Sequence, residues 1–220
     1  MSTTKAFLSY STKDKLLAGR VKQCLTYWGI DVFLAHEDIR PSKEWQNEII
    51  ENLRGCNIFI PLLTKHFRRS EWTDQESGME IIESKTAIPL SIKSVKPHGF
   101  LARYQALKLH VKALDRSCEE LILTMRNNNK LKKNVQDSFI RSFLRSGSYD
   151  EANAKSKLLE KLGPYNKRQV NEIIRGSITN SQIYEGFTAK PKIKRFFFMN
   201  RKLVSRDLKK KFVAQFGQAN

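Results

Sequence analysis

Cysteine and long apolar runs are both scarce in this chain of 220 residues. The three cysteines, Cys24, Cys56 and Cys118, are odd in number and widely spaced, which excludes a disulfide framework and a zinc cluster. No run approaches the ~18 consecutive apolar residues of a membrane span, so we expect no membrane partner. The first residues also lack the apolar segment of a signal peptide. We therefore expect a cytoplasmic protein in a reducing compartment.

Acidic residues are also few: 22 Asp and Glu stand against 40 Lys and Arg, which gives a net charge of +18. Residues 1–120 hold 18 basic and 15 acidic residues, whereas residues 121–220 hold 22 and 7. Nearly all of the excess charge therefore lies in the second half. We predict two domains, residues 1–126 and 127–220, and the charge makes nucleic acid a candidate partner of the second.

Strand-like and helix-like segments alternate through the first half. Short apolar runs predict strands at 5–10, 30–35, 56–63, 87–92 and 106–111. Helical spacing predicts helices between them, including one over 70–84. This alternation predicts an α/β fold with βαβ units and a doubly wound parallel sheet. Ligands of such sheets bind beyond the carboxyl ends of the strands, so the loops after Tyr10, Ala35 and Leu63 are candidate sites.

The second half has a helical pattern throughout. Apolar residues at helical spacing predict five helices, at about 135–144, 154–162, 170–174, 183–187 and 208–216. We therefore predict a small all-helical C-terminal domain. Residues 166–187 also match two short helices around a turn at Gly176, as in helix-turn-helix modules.

Three basic clusters in this half, at 130–133, 190–195 and 209–211, favour binding to nucleic acid. Phenylalanines interleave with the later charges, as in proteins that bind single strands. The alternative is that these phenylalanines form a core and that the charges form a solvated face. The sequence leaves both interpretations open.

The most specific motif of the chain is a tryptophan and a glutamate four residues apart, Trp72 and Glu76. On a helix these side chains lie on one face, one turn apart. A carboxylate beside an indole can accept hydrogen bonds from sugar hydroxyls and stabilise the positive charge that grows on a ribose as a bond to it breaks. On spacing alone, the alternative is a half-buried tryptophan beside a solvated glutamate. Glu80, one turn further, has the same two interpretations.

Five segments appear in one order around this motif: FLSYS (7–11) with Asp14, GIDVFL (29–34), DIRPS (38–42) with Trp45, CNIFIPLLT (56–64) and SEWTDQE (70–76). The ordered set resembles the Toll/interleukin-1 receptor (TIR) domain in its bacterial form, over about residues 4–120. The resemblance implies a flavodoxin-like sheet with strand order 2-1-3-4-5.

The resemblance also implies an activity. Many bacterial and plant TIR domains cleave NAD+ at the nicotinamide–ribose bond and release nicotinamide with a linear, cyclised or modified ADP-ribose. The catalytic residue there is the Glu of a Trp-x-x-x-Glu motif, which corresponds to Glu76, with Trp72 supporting substrate placement. The resemblance implies NAD+ as substrate without a further cofactor, self-association through the TIR domain, and an antiphage defence role with a partner protein. The alternative is a non-catalytic TIR scaffold whose basic C-terminal domain binds nucleic acid or another acidic partner.

Further substrate contacts are proposed by position. Tyr10 and Ser11 follow the first strand and would face the nicotinamide, although Tyr10 is equally consistent with packing at the end of the strand. Arg40 and Lys43 follow the second strand and would pair with the pyrophosphate, unless they lie in a solvated loop. Trp45 offers a stacking face for adenine or nicotinamide, or else packs in the core.

Other classes of protein with this fold are excluded because their characteristic motifs are absent from this sequence. A phosphate-accepting response regulator needs an acidic cluster after the first strand, where this chain has Tyr10 and Ser11. A dinucleotide-binding or flavodoxin protein needs a glycine-rich turn there, and residues 11–14 contain no glycine. The four histidines have no i,i+4 pair, so we expect no metal site.

Overall fold

The apolar runs of the first half form one parallel sheet. The computed structural model describes residues 3–34, 45–67, 85–93 and 95–217. The strands are β1 (Lys5–Ser9), β2 (Asp31–Leu34), β3 (Ile58–Leu63), β4 (Thr86–Ala87), β5 (Leu90–Ser91) and β6 (Leu107–Lys108). Within the described residues their order is β2-β1-β3-β5-β6, with β4 paired to β3 and every pair parallel. Because β4 and β5 belong to one predicted strand, the predicted order 2-1-3-4-5 is confirmed.

A proline of β3 explains why the fourth predicted strand is split. Strand β4 pairs with Phe59 and strand β5 pairs with Leu62, in one continuous register. At that register Pro61 lies opposite Pro89. Pro89 faces β6, where its carbonyl accepts the Leu107 N–H at 2.8 Å, but Pro61 faces this strand and has no N–H to donate to the ladder. The hydrogen bonding between the strands is therefore interrupted at this level and resumes beyond it.

Helices cover the sheet. In the described part of this half they are α1 (Lys15–Tyr27), α2 (Trp45–Gly55) and α3 (Leu114–Asn127). Helix α1 ends in a Schellman motif, in which the Ile30 N–H donates to the Leu25 carbonyl and the Gly29 N–H donates to the Thr26 carbonyl. Gly29 has a φ of 91°, a conformation that favours glycine. The predicted helix over 70–84 lies outside the described residues.

The core beneath α2 joins this helix to the centre of the sheet. Ile49 and Leu53 of α2 are buried in one cluster with Phe7 of β1 and Phe59 of β3. The Phe7 and Phe59 rings stack with centroids 6.1 Å apart. Burying each such side chain stabilises the fold by about 1.5–3 kcal/mol, so this cluster holds α2 and the central strands together.

The described residues divide into two compact units, one of Thr3–Thr124 and one from Met125 onward. The second unit is helical, as predicted. Its helices are α4 (Lys132–Leu144), α5 (Tyr149–Leu162), α6 (Lys167–Thr179), α7 (Ser181–Tyr184), α8 (Ala189–Met199) and α9 (Arg206–Phe216). Among the helices of the described ranges, none is both long and apolar enough to cross a membrane.

The predicted turn at Gly176 is wrong, because Gly176 lies inside α6. The chain turns at Asn180 instead, and the following helix α7 has four residues. A Cβ atom on Gly176 would lie 2.7 Å from the Leu144 side chain. Glycine is therefore present for close packing of α6 on α4, and the helix-turn-helix interpretation is not supported.

Two further differences concern residues 183–199. The predicted helix over 183–187 ends at Tyr184, and Phe187 lies beyond it with 92% of its surface exposed. Helix α8 has no counterpart among the predicted helices, because its buried residues are separated by lysines and it contains Pro191. Its start is held by Asn153, whose Oδ1 accepts hydrogen bonds from the backbone N–H groups of Thr188 and Ala189.

A buried polar network joins α4 to α6. The Asp137 side chain is 4% exposed and accepts hydrogen bonds from Arg168 Nη2 at 2.6 and 2.7 Å. Gln169 Nε2 donates to the same carboxylate at 2.7 Å, and Gln136 Nε2 donates to the carbonyl groups of Leu162 and Pro164. Because buried polar groups are costly when they are unpaired, these bonds specify how α4 and α6 pack.

We expect Asp137→Ala to lower the unfolding free energy of the helical unit by about 2–3 kcal/mol, because Gln169 loses a charged acceptor and Arg168 its ion pair. All three tryptophans precede residue 125. Denaturation followed by far-ultraviolet circular dichroism should therefore show the change, while tryptophan fluorescence should not. The exposed Asp150→Ala is the matched control, and an equal effect of both variants would contradict a role for the network.

Candidate functional site

The carboxyl ends of β1 and β3 lie side by side. Ser9, the last residue of β1, pairs with Pro61 of β3, and both strands run in the same direction. The loops that follow, at 10–14 and 64–67, therefore leave the same edge of the sheet. Loops at this edge are the usual place for ligands in open α/β sheets.

A hydrogen bond between side chains joins these two loops. The Thr64 hydroxyl donates to Asp14 Oδ2 at 2.5 Å. The same hydroxyl oxygen accepts the backbone N–H groups of His66 and Phe67, both at 3.1 Å. Thr64 is 6% exposed, so its hydroxyl is shielded from water and organises the turn after β3 while it holds the loop after β1.

Two of the predicted substrate contacts belong to the loop after β1. Tyr10 is 2% exposed and packs at the end of the strand. Ser11 is half-buried, and its carbonyl accepts the Asp14 N–H at 2.7 Å to start a short 3-10 helix at Thr12–Asp14. The structure therefore brings Tyr10 and Ser11 to the carboxyl edge, next to the Asp14–Thr64 pair.

One further predicted site residue, Trp45, lies in the described part of the chain. Helix α2 begins at Trp45 and runs from the carboxyl end of β2 back towards the amino end of β3, as the crossover in a parallel sheet requires. Its first turn is therefore placed towards the carboxyl edge. Arg40, Lys43, Trp72 and Glu76 lie outside the described residues.

A cavity opens near the opposite, amino-terminal edge. Its lining includes Lys5 and Asp31, the first residues of β1 and β2, together with Asn52 and Cys56. Burial raises the pKa of the Cys56 thiol to about 11. The thiol is therefore protonated at neutral pH, which makes it a poor nucleophile.

The other two cysteines join helices instead of forming a site. Cys24 of α1 lies 3.6 Å from Asp115 Oδ1 of α3. Hydrogen bonding with Cys24 and burial both raise the pKa of Cys118, which keeps that thiol neutral. All three cysteines are free thiols.

Sequence reasoning gave no role to Asp14 or Thr64, although both belong to the segments that carry the resemblance. The available signal was position: Asp14 follows the first strand, Thr64 ends the third apolar run, and these strands are neighbours in a 2-1-3-4-5 sheet. A carboxylate and a hydroxyl that follow adjacent strands can form a hydrogen bond. Their positions in the sequence do not show whether they do so or whether both loops are solvated.

The strand order, the crossover helices and the polar loops at the carboxyl edge together define a flavodoxin-like α/β protein. The family model described as TIR domain matches residues 6–122, more than half of the chain. The chain therefore belongs to the TIR domain family. A comparison with curated proteins returned no match. The helical unit from Met125 onward lies beyond the matched region.

We expect Thr64→Val to destabilise the TIR domain by about 2 kcal/mol, since the isosteric change removes the Asp14 contact and the side-chain acceptor of the His66 N–H, while the Phe67 N–H keeps the Thr64 carbonyl. The measurement is chemical denaturation followed by tryptophan fluorescence, which reports on this unit. Thr26→Val makes the same chemical change at an exposed position of α1. Equal midpoints for Thr64→Val and the unmodified chain would contradict the role assigned to this hydroxyl.

Proposed function

We propose that this protein is an NAD+ nucleosidase that cleaves the bond between nicotinamide and ribose. The observation that carries the proposal is the Trp72-x-x-x-Glu76 motif in a chain of the TIR domain family. The motif follows the Thr64 turn in the sequence, and that turn lies at the carboxyl edge where open α/β sheets bind ligands.

The reaction needs one negative charge close to the ribose. As the C–N bond to nicotinamide breaks, its electron pair leaves with the neutral nicotinamide and positive charge grows on the ribose. A carboxylate at Glu76 stabilises that charge electrostatically. Water then bonds to the ribose C1′ and loses a proton, which gives ADP-ribose. Attack by a group of the substrate itself gives a cyclised product by the same first step.

The other proposed contacts divide the substrate among three segments. Ser11, in the loop after β1, contacts the nicotinamide end, whereas Tyr10 is buried and packs at the end of the strand. The Asp14–Thr64 bond holds this loop against the turn after β3. Arg40 and Lys43 pair with the pyrophosphate as charged hydrogen-bond donors. Trp45, at the start of α2, stacks on adenine or nicotinamide, while Trp72 supports placement of the ribose.

We further propose that the activity depends on assembly and serves antiphage defence. In the family that the sequence resembles, active sites often form only when neighbouring TIR domains pack together, because the loop after the second strand must be repositioned. The helical unit then has a regulatory role, as a sensor, an autoinhibitory element or a docking site for a partner protein.

We expect Glu76→Gln to lower the rate of NAD+ consumption by at least about 100-fold, because the variant keeps the size of the side chain and removes its charge. The measurement is chromatography of nicotinamide and ADP-ribose products after incubation of the full chain with NAD+, with a crowding agent present.

Glu80→Gln is the matched control, since it makes the same change one turn further along the predicted helix. It should retain the activity of the unmodified chain. Activity that persists in Glu76→Gln would overturn the catalytic assignment. An equal loss of activity in both variants would show that the rate depends on the negative charge of this segment and not on Glu76 in particular.

Dependence on assembly predicts that the activity per protomer rises with protein concentration. The reason is mass action, since association populates the competent state. Initial rates measured over a 100-fold range of concentration, beside light scattering of the same samples, should increase together. A constant rate per protomer while the scattering shows association would contradict activation by assembly.

A further inference from the structure

The acidic residues of the helical unit are almost all engaged within it. From Met125 onward the chain carries 7 acidic residues and 22 Lys and Arg. Six of the seven acids contact a partner in this unit: Asp137, Glu151, Glu160, Glu172, Glu185 and Asp207. Four cations take part in these ion pairs, namely Arg168, Lys155, Arg195 and Lys211. The remaining positive charge therefore has few carboxylates of its own unit to balance it.

Helix α8 separates its aromatic residues between two faces. Ala189, Ile193, Phe196 and Phe197 are buried, as expected for residues spaced three, four, seven and eight apart on one helical face. Phe198 and Met199 follow directly and are 63% and 69% exposed. The helical phase thus places Phe198 on the face that α8 turns towards solvent.

Cations lie on both sides of Phe198 in the sequence. Lys194 and Arg195 lie four and three residues before it, positions that adjoin it on a helix surface. Arg201 lies three residues after it, and its N–H donates to the Phe198 carbonyl at 3.3 Å, so the helical turn continues through this point. Arg201 and Lys202 are both exposed. We call these five residues, Lys194, Arg195, Phe198, Arg201 and Lys202, the α8 basic face.

We propose that the α8 basic face binds single-stranded nucleic acid. Cations at this spacing can neutralise successive phosphates, and the exposed ring of Phe198 offers a surface on which an unpaired base stacks. A duplex keeps its bases stacked inside the helix, so it gains the phosphate contacts without the ring contact. The proposal concerns the helical unit and is independent of NAD+ cleavage.

An anionic membrane is a poorer match for the same face. A helix that lies in a membrane interface buries a continuous apolar stripe along its length. The apolar stripe of α8 is already buried in its own unit. The exposed face offers Phe198 and Met199 at one end only, with Lys190 and Arg195 exposed before them.

The test is fluorescence anisotropy of a labelled 20-residue oligothymidine titrated with the full chain, beside the corresponding labelled duplex. We expect tighter binding of the single strand. Because Arg195 already pairs with Glu160, phosphate contacts from Lys194, Arg201 and Lys202 predict a slope of about −2 for the logarithm of the binding constant against the logarithm of salt concentration. Glu76→Gln should bind equally well, so failure of the enzymatic proposal would leave this result unchanged.

Two matched pairs of variants locate the site. Phe198→Ala should weaken binding of the single strand by about 5- to 100-fold and leave duplex binding unchanged, whereas Phe187→Ala removes an exposed ring outside the face and should have little effect. Arg201→Gln with Lys202→Gln should reduce the salt slope by about 1. Lys130→Gln with Lys133→Gln lowers the net charge equally, at other exposed positions, and should not.

Several results would overturn the proposal. They are no anisotropy change at low salt, equal affinity for single strand and duplex, unaltered binding by Phe198→Ala, or equal losses in the two double variants. Binding to phosphatidylserine vesicles without binding to the oligonucleotide would identify a membrane surface instead. Circular dichroism of each variant checks the fold, and the exposure of Phe198 predicts that its replacement leaves the fold intact.

Discussion

Parallel pairing of β1 with both β2 and β3 is the constraint on which the TIR domain depends. Parallel strands need crossover connections, so α1 and α2 must cover the sheet and every strand must end at the same edge. That edge receives the loop with Tyr10 and Ser11 and the turn at Thr64. One hydrogen bond, from Thr64 to Asp14, then joins two loops that are 50 residues apart in sequence. The direction of the strands thus determines where the candidate site lies, whichever side chains occupy it.

The two units use charge differently. The first 120 residues carry nearly equal numbers of basic and acidic residues, as suits a domain whose proposed chemistry depends on one carboxylate. The helical unit engages most of its few acids in contacts of its own, and the buried Asp137 holds Arg168 and Gln169 between α4 and α6. Most of its cations lie on the surface, where they repel one another. Most of the net charge of +18 therefore belongs to the second unit.

Much of the architecture follows from patterns that need no tertiary information. The apolar runs locate the strands. Gly29 ends α1 through a Schellman motif, which depends only on residues that are close together in the sequence. Predictions fail where a distant neighbour decides. Gly176 suggests a turn, yet it permits close packing against Leu144 inside a helix. Helix α8 was hidden because lysines and Pro191 interrupt its apolar spacing, while Asn153 of α5 supplies the hydrogen bonds that begin it.

By itself, the sequence determined the strands, because periodicity is a local property of the chain. The family, the strand order and the proposed catalytic carboxylate followed from the resemblance that its ordered motifs carry. The sequence also placed Phe196, Phe197 and Phe198 among positive charges, but it left their roles open. Only the tertiary structure decided that the first two are buried and the third is exposed, since this depends on the phase of α8 against its neighbours. It likewise decided that Asp14 meets Thr64, because that contact exists only once β1 and β3 pair.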